Sequence, residues 1–442
     1  MSPVDVGTII DESSWSARQK FFILLAALAV MFDGFDIQIL GFAIPSIMRE
    51  WHVARSVFAP VLAIGLVGLA AGSPIAGYFG DRFGRRTALI ACLLLFAAAT
   101  MATAFCKDVT MLGILRVLTG IGAGGALPNA SAFSAELTPF HRRPIAVTLT
   151  IVCVPLGGML GGLAATRILP AYGWRALYAL GGGAPLVFAL LLWVALPESP
   201  RFLVHHPNRW TELERLLARL GHPVPPGCRF EDRLERKPSG KASVVEIFGP
   251  EFRRDSFGLW LSYFANSNAV YLIFSWLPAM LTARGLDLAA SSSGLAWWNF
   301  GGVLGVLVWT WLVTAFGSRA PLLIAAFSGA IVGCALQFVH SPHMLIAGLG
   351  LHGVFVNAVQ TTLFAVGAHI YPTGIRASGV AYAAGIGRVG GILTSFTGVA
   401  ILQSGSATYF RVLTLALLLA FVGIAIVQKH FAPAGQRLTE SP

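Results

Sequence analysis

The sequence predicts an all-α integral membrane protein with twelve transmembrane helices in two pseudo-symmetric six-helix bundles. Three observations carry that expectation. Of 442 residues, 56% are hydrophobic and only 12% charged, where soluble domains hold about 25% charged residues. The apolar residues gather into stretches of the roughly 20 residues that a helical crossing needs, without the short alternating segments of a membrane barrel. A polar segment, residues 197–254, then divides six such stretches from six others.

The elements follow in order. Residues 1–20 form a cytoplasmic N-terminal segment. They hold Asp5, Asp11 and Glu12 in place of a basic n-region, so no cleavable signal is expected and the first span acts as its own insertion signal. The first bundle, 21–196, places spans near 21–43, 57–79, 88–106, 111–133, 145–167 and 176–196. The central cytoplasmic loop, 197–254, opens with Pro197-Glu198-Ser199-Pro200-Arg201. It continues with an amphipathic stretch from Trp210 to Leu220, read as a surface helix, and a flexible linker from Gly221 to Gly240. The second bundle, 255–428, places spans near 256–280, 292–315, 320–339, 344–366, 377–401 and 409–428. Residues 429–442 form a short cytoplasmic tail.

The formal net charge of +11 describes orientation, not a nucleic-acid partner. With the N-terminus inside, 22 of the 31 Lys and Arg fall on the inner side, seven on the outer and two within spans. The positive-inside rule therefore puts both termini in the cytoplasm. Five scattered cysteines, Cys92, Cys106, Cys153, Cys228 and Cys334, have neither metal spacing nor a disulfide framework. They are read as packing residues, with Cys228 a loop thiol.

Asp33 and Asp36 interrupt the first span near its centre. A carboxylate at that depth costs at least ~2.5–3.5 kcal/mol, and at i and i+3 the two share a helix face. They are read either as a proton-coupling site or as a polar packing pair. Local echoes suggest a duplicated unit. Asp33 precedes Pro45 by twelve residues, as Asn266 precedes Pro278. Glu136, Pro139 and Arg143 are spaced like His369, Pro372 and Arg376. Transporters built from such repeats hold their substrate near the midplane between them.

The loop after the second span reads Gly77-Tyr78-Phe79-Gly80-Asp81-Arg82-Phe83-Gly84-Arg85-Arg86. Its glycines suit close helix approach and a tight turn, and Asp81 would offer an anion to a helix N-terminus. This run resembles the GxxxDRxGRR signature of the major facilitator superfamily. Asp33-Gly34-Phe35-Asp36, the stretch from Arg116 to Asn129 followed by Glu136, and the stretches Tyr371–Gly379 and Gly385–Gly390 resemble the aromatic acid:H⁺ symporters of that superfamily. The second-half counterpart of the signature is degraded, with Thr314 and Ala315 at its acidic and first basic positions.

The resemblance implies a gate of Gly77, Asp81, Arg82, Gly84, Arg85 and Arg86, joined by Glu136, Arg142, Arg143 and Arg376 at the cytoplasmic helix ends. Arg142 and Arg143 also fit a solvated loop. Arg388, midway along the eleventh span, needs an anion because guanidinium stays charged. That anion is a substrate carboxylate, suited to the planar fork, or an internal partner at Asp33 or Asp36. Gly385, Gly387 and Gly390 would let a flat ring approach the backbone. Arg116, about 8 Å deep, either steers substrate or pairs with Asp36. Asn129, Asn357 and Gln360 are further candidate substrate ligands, with His352 and the Trp297–Phe300 cluster as cavity lining or packing. His369 suggests gating.

No nucleophile–base pair appears, so an enzyme is not expected. The expected function is proton-coupled import of an aromatic or ring-derived carboxylic acid by a monomer in the lipid bilayer. The proton is the coupling ion, with no metal and no other cofactor. Hydroxybenzoates, protocatechuate, gentisate, phthalates, nicotinate and muconate-type acids all fit. A proton-coupled efflux antiporter, or a transporter doubling as chemoreceptor, is the alternative.

Overall fold

The computed structural model describes residues 3–225, 227–232, 244–372 and 375–433. Residue 226 and residues 233–240 of the expected linker 221–240, and most of the tail, therefore lie outside the described residues, as do Thr373 and Gly374. A short strand β1 (Val4–Asp5) leads into α1 (Val6–Asp11), α2 (Ala17–Trp51), α3 (Phe58–Phe83), α4 (Arg85–Thr103), α5 (Val109–Leu137) and α6 (Arg143–Ala195). Then come α7 (Pro200–Val204), α8 (Trp210–Leu220), a second strand β2 (Phe230–Glu231), α9 (Arg253–Ala283) and α10 (Leu288–Phe316). The last helices are α11 (Arg319–Leu336), α12 (Pro342–Ile370), α13 (Arg376–Gln403) and α14 (Ser406–Ile426).

Ten helical stretches among the described residues are long and apolar enough to cross a membrane. The fifth and sixth expected spans fall inside one helical run, α6, which turns at Gly173 (φ 74°). The seventh falls in α9, whose 31 residues are not among the ten. Local chemistry sets several starts. Ser16 and Gln19 form a capping box at α2, Asp108 accepts the Met111 N–H at 2.8 Å, and Asp287 accepts the Ala290 N–H at 2.7 Å. Each satisfies a backbone donor that the first helical turn leaves open.

The packing repeats itself. α3 lies on α5 as α10 lies on α12, α2 on α6 as α9 on α13, and α4 on α6 as α11 on α14. Small residues set these distances. A Cβ at Gly72 or Gly124 would strike the backbone of the partner helix, and so would one at Gly301 or Gly305.

The buried apolar residues form three clusters, and their distribution is the main architectural fact. One cluster draws on both halves, from Phe35–Ile47 in α2 to Ala269–Leu281 in α9 and Tyr409–Leu417 in α14. The second belongs to the first half and holds Val6, Ile10, Leu93, Phe133 and the α8 leucines Leu213, Leu216, Leu217 and Leu220. The third belongs to the second half, with Phe252, Tyr263, Leu363 and Ile424. The halves thus share a core at one end only. At the other end, which carries the α7–α8 segment and both described chain ends, each half closes on itself. We term that end the inner face.

On the inner face β1 pairs with β2 in parallel, Val4 opposite Phe230 and Asp5 opposite Glu231. The amphipathic helix expected at Trp210–Leu220 is α8, with its leucine face buried. Cys92, Cys106 and Cys153 are buried as packing residues. Cys228 is buried in its loop, and burial pushes its thiol pKa up. Cys334 is a correction: it is exposed, because it sits on the outward-turned side of α11.

Candidate functional site

Asp33 and Asp36 are both 2% exposed, yet their surroundings differ. The Thr100 hydroxyl donates to Asp36 Oδ1. Arg116 Nη1 stands 3.8 Å from Asp36 Oδ2 and donates to the Asp36 carbonyl at 3.4 Å. Asp36 is therefore held by a hydroxyl and a guanidinium, from α4 and α5. Asp33 has no such support, and its Oδ1 is buried without a hydrogen-bond partner. A buried carboxylate oxygen without a hydrogen-bond partner is costly, which marks Asp33 as the strained member of the pair. Asp33 lies within electrostatic reach of Asp36 and Arg388.

Arg388 is half-buried on α13. No carboxylate lies within 4 Å of it among the described residues, so the internal ion pair read from the sequence is not formed in this conformation. The glycine cradle expected around it needs correction. A Cβ at Gly387 would press on Ser267 and one at Gly390 on the Phe264 carbonyl, whereas one at Gly385 meets open space. Two of the three glycines serve the packing of α13 on α9, which leaves one free.

The remaining candidate ligands divide. Gln360 accepts from Asn266 Nδ2 at 2.7 Å, tying α12 to the repeat counterpart of Asp33. Asn357 donates to its own helix at the Gly353 carbonyl, 3.1 Å. Asn129 lies toward the inner face, donating to the carbonyls of Ala76 (3.2 Å) and Gly125 (2.9 Å). It joins α3 to α5 and is not gathered with Asp33. His352 is buried, accepting from Trp298 Nε1 at 3.2 Å. Trp297 and Phe300 do not line a cavity, because both are exposed on the outward-turned side of α10. A small cavity of about 30 Å³ is lined by Asp36, Arg116, Tyr271 and Ser275 among others.

The signature loop forms a network on the inner face. Gly84 takes φ 101°, a left-handed conformation that only glycine adopts readily. Arg85 pairs with Asp81 at 2.6 Å and with Glu136 at 3.1 Å, and Ser199 Oγ donates to the other Glu136 oxygen. The expectation that Asp81 serves a helix N-terminus is corrected. Glu198 does so, accepting the Arg86 and Ser199 N–H groups at 2.9 Å each. Asp81 sits in the last turn of α3, where its reach is to Arg85. Gly77 is a second correction: a Cβ there would meet nothing within 4 Å, so it permits no close approach. Arg82 points out and donates to Tyr78.

Of the neighbouring arginines, Arg143 is the engaged one. It donates to Asp11 and, at 3.0 Å, to the Ala135 carbonyl. Arg142 is exposed, since it falls on the free side of the turn before α6. Arg376 is exposed and donates to the Tyr371 carbonyl at 3.3 Å. His369 packs on the Phe431 ring. Sequence reasoning missed Asp11, which also meets Arg201 at 3.2 Å, and it missed Thr100. Neither belongs to a motif. A cavity of about 440 Å³ lies under this network, bounded by Asp81, Arg85, Glu136, Arg143 and Arg201.

Comparison with known proteins places this arrangement. The family described as Major Facilitator Superfamily matches residues 26–298 and 259–441. The chain belongs to the major facilitator superfamily. It is 34% identical over 405 residues to a gallate transporter of Pseudomonas putida, covering 91% of this chain and 90% of that one. It is 33% identical over 438 residues to the 4-hydroxybenzoate transporter PcaK of Acinetobacter baylyi, covering 97% and 94%. A solved D-xylose-proton symporter shares the fold, with a TM-score of 0.71 at 20% identity over 93% of this chain and 98% of that one. This is a multi-pass protein of the bacterial inner membrane, and the relatives named here are aromatic acid transporters.

Proposed function

We propose that the protein imports an aromatic carboxylic acid together with a proton, by alternating access, as a monomer that uses no cofactor beyond the coupling proton. Twelve crossings, with both termini and the central loop in the cytoplasm, make the inner face the cytoplasmic one. A shared core at the outer end and separate cores at the inner end then correspond to an inward-open state. The gallate and 4-hydroxybenzoate relatives favour a ring bearing a carboxylate as the substrate class.

The observation that carries the reading is the contrast between Asp33 and Arg388. One is a buried acid with an oxygen left unpartnered, the other a charged guanidinium without a carboxylate within 4 Å among the described residues. Asp33 takes the proton, which removes the penalty of closing a dry site around its charge. Arg388 takes the substrate carboxylate in bidentate fashion. Asp36, already neutralised by Arg116, holds the helix geometry. An anion moving into a negative interior opposes about 2.3 kcal/mol per 100 mV, which one co-transported proton cancels.

The test is uptake of labelled 4-hydroxybenzoate, gallate and benzoate by cells expressing the wild type or Asp33→Asn, with and without a protonophore. Saturable uptake that collapses under the protonophore and in the variant is expected. Uptake that survives both removes Asp33 from the mechanism, and export of the acids reverses the direction.

A further inference from the structure

Gln38 on α2 and Asn299 on α10 meet across the two halves, and both are fully buried. Their side chains form a reciprocal amide pair, with Asn299 Nδ2 donating to Gln38 Oε1 at 2.7 Å and Gln38 Nε2 to Asn299 Oδ1 at 3.3 Å. Each amide gives its second proton to its own helix, at the Gly34 and Leu295 carbonyls. Gly158 of α6 makes room, since a Cβ there would overlap both amides.

We infer that Gln38 and Asn299 read a hydrogen-bonding substituent, a ring hydroxyl, on the acid that the protein carries. The inference rests on the transport reading above. Alternating access requires the halves to part at this end, and parting leaves a donor and an acceptor unsatisfied on each amide. Buried amides do not stay unpaired without cost. Thr100 and Arg116 are committed to Asp36, and the Gln360 oxygen to Asn266. A hydroxyl supplies one donor and one acceptor, the complement that a parted amide lacks. Gln38 also stands five residues outward of Asp33, about 7.5 Å along the helix. Five residues also turn about 140° around the helix, so Gln38 meets the outward edge of the substrate from the α6 and α10 side and not from the face that carries Asp33.

The experiment compares uptake of 4-hydroxybenzoate and benzoate in proteoliposomes holding the wild type, the Gln38→Leu/Asn299→Leu double variant, or the exchanged Gln38→Asn/Asn299→Gln chain. The wild type should favour the hydroxylated acid by about tenfold or more in kcat/KM, the size of one unmade buried hydrogen bond. The leucine pair should bring that ratio near one while benzoate uptake persists, and the exchanged pair should keep the preference. If the leucine chain does not fold, Gln38→Met gives the same ratio. A ratio unchanged while both rates move together makes the pair a clasp between halves and overturns the inference. A wild type that carries neither acid overturns the transport reading instead.

Discussion

The two halves secure their inner-face loops in the same place but with different chemistry. In the first half, Gly84 (φ 101°) precedes α4, and the segment after α6 returns Glu198 to accept the Arg86 N–H at 2.9 Å. In the second half, Gly317 (φ 77°) precedes α11, and the segment after α14 returns to it. There the Phe431 carbonyl accepts the Ser318 N–H at 3.3 Å, the Ser318 hydroxyl accepts the Phe431 N–H at 3.0 Å, and His430 Nδ1 meets that hydroxyl at 3.1 Å. One latch is ionic and the other neutral. The geometry answers a backbone need common to both halves, and the charges are an addition made once.

The largest effect tests the shared geometry. Gly84→Val and Gly317→Val each force a branched residue into a left-handed conformation, costing about 1–3 kcal/mol before any clash. A Cβ would also strike Glu198 or the Phe431 carbonyl. Both variants should lose most uptake and unfold at lower temperature in detergent. If Gly317→Val is silent, the two latches are not equivalent.

Next comes the ionic addition. Glu136→Gln weakens the Arg85 and Ser199 contacts together and should lower stability by about 1–3 kcal/mol. Asp81→Asn removes a partner that is 67% exposed, so its effect should stay near 0–1 kcal/mol. Thermal unfolding of the two variants side by side checks the order, and equal losses would contradict it.

The pH responses should have opposite signs. Burial, opposed by the Arg86 and Ser199 N–H groups, holds the Glu198 carboxyl above its ordinary 4.5. The folded state therefore keeps a proton that the unfolded chain releases, and this latch weakens as pH rises from about 4.5 to the raised value. Burial, aided by the Arg319 charge, holds His430 below its ordinary 6.5. That latch is whole above 6.5 and weakens as pH falls toward the lowered value. Melting temperature against pH should lose the first slope in Glu198→Gln and the second in His430→Gln.

The smallest effect separates neighbours. Arg143→Ala, which strips Asp11 of a partner, should reduce uptake severalfold. Exposed Arg142→Ala should leave it within about 0.5 kcal/mol of the wild type in stability. A larger loss at Arg142 would return it to the gate.

The signature loop was legible because its glycine, acid and arginines lie together in one short run. The partner that completes it was not, since Glu198 lies 112 residues from Arg86. Its Pro-Glu-Ser-Pro setting names no destination. Asp33 and Asp36 were legible as an intramembrane pair, but their different burdens were not. Thr100 sits 64 residues and Arg116 80 residues from Asp36, and only folding decides which carboxylate they reach.

The sequence by itself determined the solvent, the helical class and the family, because apolar length responds to the bilayer one segment at a time and the signature residues lie in short runs. Only the tertiary structure decided which acid is satisfied, which arginine is left without a carboxylate, and at which end the halves share a core. Those depend on side chains brought together from distant helices, where a hydrogen bond is made or lost on ångström differences that no local pattern records.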